Sequence, residues 1–123
     1  MERSYLEEIA TALENAGYNT FLPHRDVGLL DSIDDVNREH IFRADMTALD
    51  DCDICVALLT GPDHDSGTSA EIGYMYAKGK PCFGITDDMR WMNNLIWGLC
   101  NSGNNICTSI ETCIQLLKTQ ISQ

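Results

Sequence analysis

Asp53-Ile54-Cys55-Val56-Ala57-Leu58-Leu59, followed by Thr60-Gly61-Pro62-Asp63, is the stretch from which the fold is read. From Ile54 to Leu59 every side chain is apolar. Neither face of such a segment is suited to water, so it reads as a strand in a central position of a parallel sheet covered on both sides. The turn residues Thr60 to Asp63 end it. Beyond them Thr68 to Lys78 reads as a helix stopped by Gly79-Lys80-Pro81, and Pro81 to Ile85 reads as the next strand. Strand, helix and strand in that order predict an α/β fold with helices over a parallel sheet.

The same reading extends in both directions. Upstream, Ser4 to Ala16 is a helix with Tyr5, Ile9, Ala12, Leu13 and Ala16 at helical spacing, stopped by Gly17. Tyr18 to Leu22 is a short strand ended by Pro23, and His24 to Ile33 is a loop containing Gly28. Asp34 to Leu49 is a second helix, with Ser32 or Asp34 able to cap it. Downstream, Thr86 to Leu99 is mixed and partly helical, Asn105 to Thr108 is a last strand, and Ile110 to Ile121 is a closing helix capped by Ser109. Four strands are expected in all, after an opening helix.

At 123 residues, with 44% hydrophobic and no repeat, low-complexity tract or linker, residues 1–123 read as a single domain. No apolar run approaches the roughly 18 residues a membrane span needs. Met1-Glu2-Arg3-Ser4-Tyr5 has no apolar stretch and is not a signal peptide, so a cytoplasmic location is expected. The formal charge of −11 opposes binding to a nucleic acid polymer and points to a small ligand held at one local site, besides favouring solubility. Among six cysteines, Cys52 and Cys55 form a lone C-x-x-C with no second close pair to complete a zinc set. Small buried or half-buried free thiols are the expectation.

Three acidic positions carry chemical interest. Asp45 falls on the helical wheel among Ile41, Ala44, Ala48 and Leu49, on an apolar face where an unpaired carboxylate is costly. Asp65 and Glu71 lie in Asp65-Ser66-Gly67-Thr68-Ser69-Ala70-Glu71-Ile72-Gly73, where a strand gives way to a helix. In parallel α/β sheets ligands bind beyond the carboxyl ends of the strands. Gly67 lets backbone approach a ligand there, and free N–H groups at the helix start favour negative charge. Thr68-x-x-Glu71 also fits a capping box, with Asp65 or Ser66 as an ordinary cap. Arg25-Asp26, after the first visible strand, is at a carboxyl end too, or is a surface ion pair. His24, His40 and His64 share no metal-ligand spacing and read as surface residues.

Together these residues resemble the nucleoside 2-deoxyribosyltransferase family. The family signature joins an Asp, a Gly-Thr and a Glu-x-Gly at fixed spacing and closes the helix with Gly-Lys-Pro; here these are Asp65, Gly67-Thr68, Glu71-Ile72-Gly73 and Gly79-Lys80-Pro81. Phe21-Leu22-Pro23 with Arg25-Asp26, the segment Ile41 to Asp45 leading to Leu49-Asp50-Asp51-Cys52-Asp53, and Asn93-Asn94-Leu95-Ile96-Trp97-Gly98 resemble further family segments. The resemblance covers nearly the whole chain. It implies a flavodoxin-like three-layer sandwich, a homo-oligomer, and transfer of 2-deoxyribose between nucleobases with no metal or other cofactor. By resemblance, Glu71 attacks the anomeric carbon to give a covalent deoxyribosyl-enzyme. Asp65 and Asp45 line the sugar and base, orient the Glu and help protonate the leaving base. Asn93 reaches the sugar 5′-hydroxyl from a neighbouring subunit. The partners implied are a nucleoside and a free nucleobase, with neither nucleic acid polymer nor membrane.

The family's first strand is missing, because Met1 to Tyr5 aligns with the start of its first helix. Loss of a central strand deprives its neighbours of hydrogen-bond partners, so the chain is expected either to pair with a partner subunit or to be marginally stable. An N-glycoside hydrolase acting on nucleosides or nucleoside monophosphates is the second reading. Asp65 favours the transferase, since the similar deoxynucleotide hydrolases carry a small hydroxyl residue there, and the scarcity of Lys and Arg, eight in all, weighs against a 5′-phosphate. A non-catalytic nucleoside or nucleotide binder is the third.

Overall fold

The apolar run forms strand β1 (Cys55–Leu58) in the computed structural model of the chain, which describes residues 2–22, 35–59 and 66–121. β1 runs parallel to β2 (Cys82–Ile85), with Cys55 opposite Cys82 and Leu58 opposite Ile85. β2 in turn runs parallel to β3 (Ile106–Cys107), with Gly84 opposite Ile106. The order β1-β2-β3 makes β2 the central strand, and all four of its residues are buried.

This corrects the reading of the first quoted stretch. Among the described residues the central position expected for β1 is held by β2, while β1 is an edge strand whose residues are half-buried apart from Ala57. An all-apolar run reports that both faces are covered. It does not report whether both backbone edges are paired, since every residue carries the same N–H and C=O whatever its side chain.

Side chains alternate across a sheet. Cys55, Ala57 and Leu59 therefore share one face with Cys82 and Gly84, and Val56 and Leu58 share the other with Phe83, Ile85 and Cys107. Helix α3 (Ser66–Ala77) covers the first face, where the Cys82 thiol donates to the Ile72 carbonyl at 3.6 Å. A short helix, α4 (Asn94–Leu99), packs beside α3. Helix α5 (Ile110–Gln120) covers the second face, with Cys113 against Cys107 and Leu117 buried. The result is an α/β fold: a three-stranded parallel sheet with helices on both faces. Asn105, buried just before β3, is satisfied on both sides of its amide. Its Nδ2 donates to the Cys82 carbonyl (3.1 Å) and its Oδ1 accepts from Gln120 Nε2 (2.8 Å).

The sheet and these helices make up one compact unit, residues 53–123; residues 1–52 make up another. The first unit contains α1 (Glu2–Asn15), which buries Ile9, Ala10 and Leu13, and α2 (Asp35–Asp51). Gly17 follows α1 at φ +101°, a left-handed conformation that glycine adopts without a Cβ clash. Tyr18–Leu22, expected as a strand, joins no ladder. A strand exists only where a second backbone pairs with it, and the described residues of this unit offer helices alone. Among the described residues the sheet thus has three strands rather than four.

The remaining elements agree with the sequence to within a few residues. Ser109 caps α5 as expected, its Oγ accepting from Thr112 N–H at 3.1 Å. The mixed segment resolves into a 3₁₀ turn (Met89–Trp91) and α4. All six cysteines are free thiols, Cys52 and Cys55 half-buried. No described helix is long and apolar enough to cross a membrane.

Candidate active site

Glu71 lies in the second turn of α3 and is half-buried. It belongs to the stripe Thr68, Glu71, Ile72 and Met75, whose spacing of three and four residues places them on one side of the helix. Ile72 and Met75 are 0% and 1% exposed, which fixes that side against the sheet. The Glu71 carboxylate falls within electrostatic reach of the Cys55 thiol on β1 and helps keep that thiol protonated. A carboxylate is thus held along the sheet-facing stripe of the helix that follows β1.

The start of α3 bears on the capping-box reading of the motif. A capping box needs Thr68 just ahead of the helix, but α3 begins at Ser66 and Thr68 sits within its first turn. Glu71 is therefore not the reciprocal partner of a Thr68 cap. Gly67 is exposed in that first turn, where backbone N–H groups lack intrahelical acceptors.

Asn93 opens α4, the helix packed beside α3. Its Oδ1 accepts from Leu95 N–H (2.8 Å) and Ile96 N–H (3.0 Å), so the side chain is an N-cap. The cap uses the oxygen only, and the exposed amide nitrogen takes no part in it. Asp45 belongs to α2, in the other compact unit. It lies in a half-buried row with Ile41, Ala44, Ala48 and Leu49, as its spacing implies. Its Oδ1 is sealed from solvent with no hydrogen-bond donor among the described residues, and burial pushes its carboxyl pKa up. Asp65, Arg25 and Asp26 lie outside the described residues, as do His24, His64 and the capping candidates Ser32 and Asp34. Of the residues singled out from sequence, the described structure places Gly67 and Glu71 on α3 and Asn93 at the head of its neighbour.

The turn leaving β2 adds groups that the sequence reading passed over. Thr86 is buried, and its Oγ1 accepts from Asp88 N–H at 3.2 Å. Asp88 caps the 3₁₀ turn and grips Arg90 with both oxygens, at 3.0 Å to Nε and 2.9 Å to Nη2. The paired guanidinium holds the Asp88 carboxyl below its ordinary pKa, and Asp88 raises that of Arg90. Thr86-x-Asp88 directly after an apolar strand is a turn signature that makes this staple legible in principle. Arg90, a cation at the carboxyl end of a strand, already has its countercharge. Among the described residues no group of three or more His, Cys, Asp or Glu is arranged to hold a metal ion.

The sequence profile of the nucleoside 2-deoxyribosyltransferases matches residues 1–115. The chain belongs to that family. Among solved structures, this family member is similar to a conserved protein from Enterococcus faecalis V583. The two share 25% identity over 98% of this chain and 89% of the other, with a TM-score of 0.74. No curated protein sequence matches it. In this deoxyribosyltransferase-family chain, the glutamate of Glu71-Ile72-Gly73 is half-buried on α3.

Proposed function

We propose that the protein transfers 2-deoxyribose from one nucleobase to another, on a flavodoxin-like scaffold and through a covalent intermediate on Glu71. The observation that carries this reading is the placement of Glu71: a half-buried carboxylate on the sheet-facing stripe of the helix after β1, in a chain of this family. Family membership supports deoxyribosyltransferase-type activity.

In the first step a Glu71 carboxylate oxygen bonds to C1′ of the deoxynucleoside as the N-glycosidic bond breaks. The bonding pair leaves with the base nitrogen, which takes up a proton. In the second step the nitrogen of an incoming base attacks C1′, frees the carboxylate and gives up its proton. This is the double displacement of a retaining glycosidase with a base in place of water as acceptor. Asp65 and Asp45 are the proposed supporting carboxylates, orienting the sugar and nucleophile and supplying the proton to the leaving base. Gly67, Arg25 and Asp26 are proposed to line the substrate. Asn93, with its amide nitrogen outside the cap, is proposed to donate to the sugar 5′-hydroxyl of a neighbouring subunit in a homo-oligomer. The exposed apolar side chains of Leu95 and Trp97 beside Asn93 support that association.

The test is base exchange. The purified protein and its Glu71→Ala variant are incubated with a 2′-deoxynucleoside and a different free base, and the products are separated. The proposal expects a new deoxynucleoside that disappears in the variant. Free base and sugar without exchange would mean a hydrolase, and tight nucleoside binding unaffected by the substitution, without turnover, would mean a binding protein.

A further inference from the structure

Cys55 and Cys82 face each other directly across the β1–β2 ladder, on the face that α3 covers. Neighbouring strands lie about 4.8 Å apart, inside the roughly 4.4–6.8 Å separation of Cα atoms that a disulfide spans. Side chains of such a pair leave the sheet on the same side. The two thiols are near enough to influence each other's ionisation, and Cys82 donates at 3.6 Å to the carbonyl of Ile72, the residue after Glu71, and at 3.6 Å to that of Lys80. Both are free.

The pair differs from the other thiols. Cys107 and Cys113 also lie near each other, but both are buried, and burial pushes Cys113 up to about 12; of Cys55 and Cys82 only Cys82 is buried. Cys100 is fully buried and is likewise pushed up to about 12. Cys55 is half-buried, so a small oxidant has a route to it. Within the pair, the hydrogen bond from Cys55 favours ionisation of Cys82 and keeps Cys55 protonated.

We propose that Cys55 and Cys82 are an oxidation-sensitive modification site, a cross-strand dithiol that a peroxide converts to a disulfide. Two S–H bonds and the peroxide O–O bond break, and one S–S bond and two O–H bonds form. The dithiol loses two electrons, the peroxide is reduced, and both thiol hydrogens end in water. The linkage ties β1 to β2 beneath the helix that carries Glu71. Sheet register places the two thiols side by side whether or not the protein is the proposed transferase.

Native protein is treated with graded hydrogen peroxide, its remaining thiols are alkylated, and it is digested without reduction for mass spectrometry. The expected result is a peptide pair joined through Cys55 and Cys82, lighter by two hydrogen atoms and separated again by a thiol reductant. Cys107 and Cys113 are expected to stay reduced until the chain is denatured. In Cys55→Ser, peroxide is expected to leave no linked peptide containing Cys82. Recovery of Cys55 and Cys82 unlinked in the wild-type chain overturns the proposal, as does a link from Cys55 to Cys52. The wild-type map decides even if the variant does not fold.

Discussion

A carboxylate oxygen sealed from water with no donor among the described residues, as Asp45 Oδ1 is in α2, costs about 1–3 kcal/mol. The native state relieves that cost by holding the proton more tightly, which is the direction of the Asp45 pKa. A carboxyl whose folded pKa is raised favours folding below its unfolded pKa and loses that contribution as pH rises through the folded value. Asp45→Asn is therefore expected to raise the melting temperature at pH 7. The gain should shrink as pH falls toward the unfolded value near ~4. Thermal melts across that range check it, and a lower melting temperature at pH 7 would contradict the assignment. At Asn93 the oxygen and nitrogen have separable work. Asn93→Asp keeps an acceptor for the Leu95 and Ile96 N–H groups and removes the donor. It should preserve stability but weaken nucleoside turnover, whereas Asn93→Ala should also lose about 1 kcal/mol of helix stability. Urea titrations alongside exchange assays separate the two effects.

At the scale of elements, the closest approach in the sheet is at Gly84, where a Cβ would collide with the Cδ1 of fully buried Leu59. Gly84→Ala should destabilise by about 1–3 kcal/mol through overpacking, read as a lower denaturation midpoint. How legible an element is in the sequence follows from what decides it. Caps and stops are local, so Gly17 after α1 and Ser109 before α5 were readable from residue type alone. The apolar face of α2 around Asp45 was readable too, because helical period is local. Strand pairing is not. Among the described residues Tyr18–Leu22 has strand composition but joins no ladder, and β1 has central-strand composition at an edge, because the neighbouring backbone leaves no trace in either run. The Thr68–Glu71 ambiguity fails differently: a shift of the helix start to Ser66 turns a possible cap into an interior residue. The Asp88–Arg90 pair escaped because its spacing is common in surface turns, and only the structure shows both oxygens engaged.

For the whole molecule, two observations bear on assembly. Among the described residues β1 has a strand neighbour on one side only, and Leu95, 70% exposed, stands with the 44% exposed Trp97 beside Asn93. Open edges and apolar patches are both routes to association. If the protein works as a homo-oligomer, its melting temperature should rise with protein concentration. Leu95→Glu should shift sedimentation toward the monomer and reduce exchange. A concentration-independent melt of a strict monomer that still turns over would contradict this view of assembly.

The central claim is that Glu71 becomes covalently attached to the sugar. Its most direct test is to mix the enzyme with a 2′-deoxynucleoside and no acceptor base, quench in acid within a turnover, and map the peptides by mass spectrometry. The account predicts release of the base together with a deoxyribosyl group on the peptide containing Glu71, absent in Glu71→Gln. Base exchange proceeding with no adduct, or with the sugar on another residue, would contradict it.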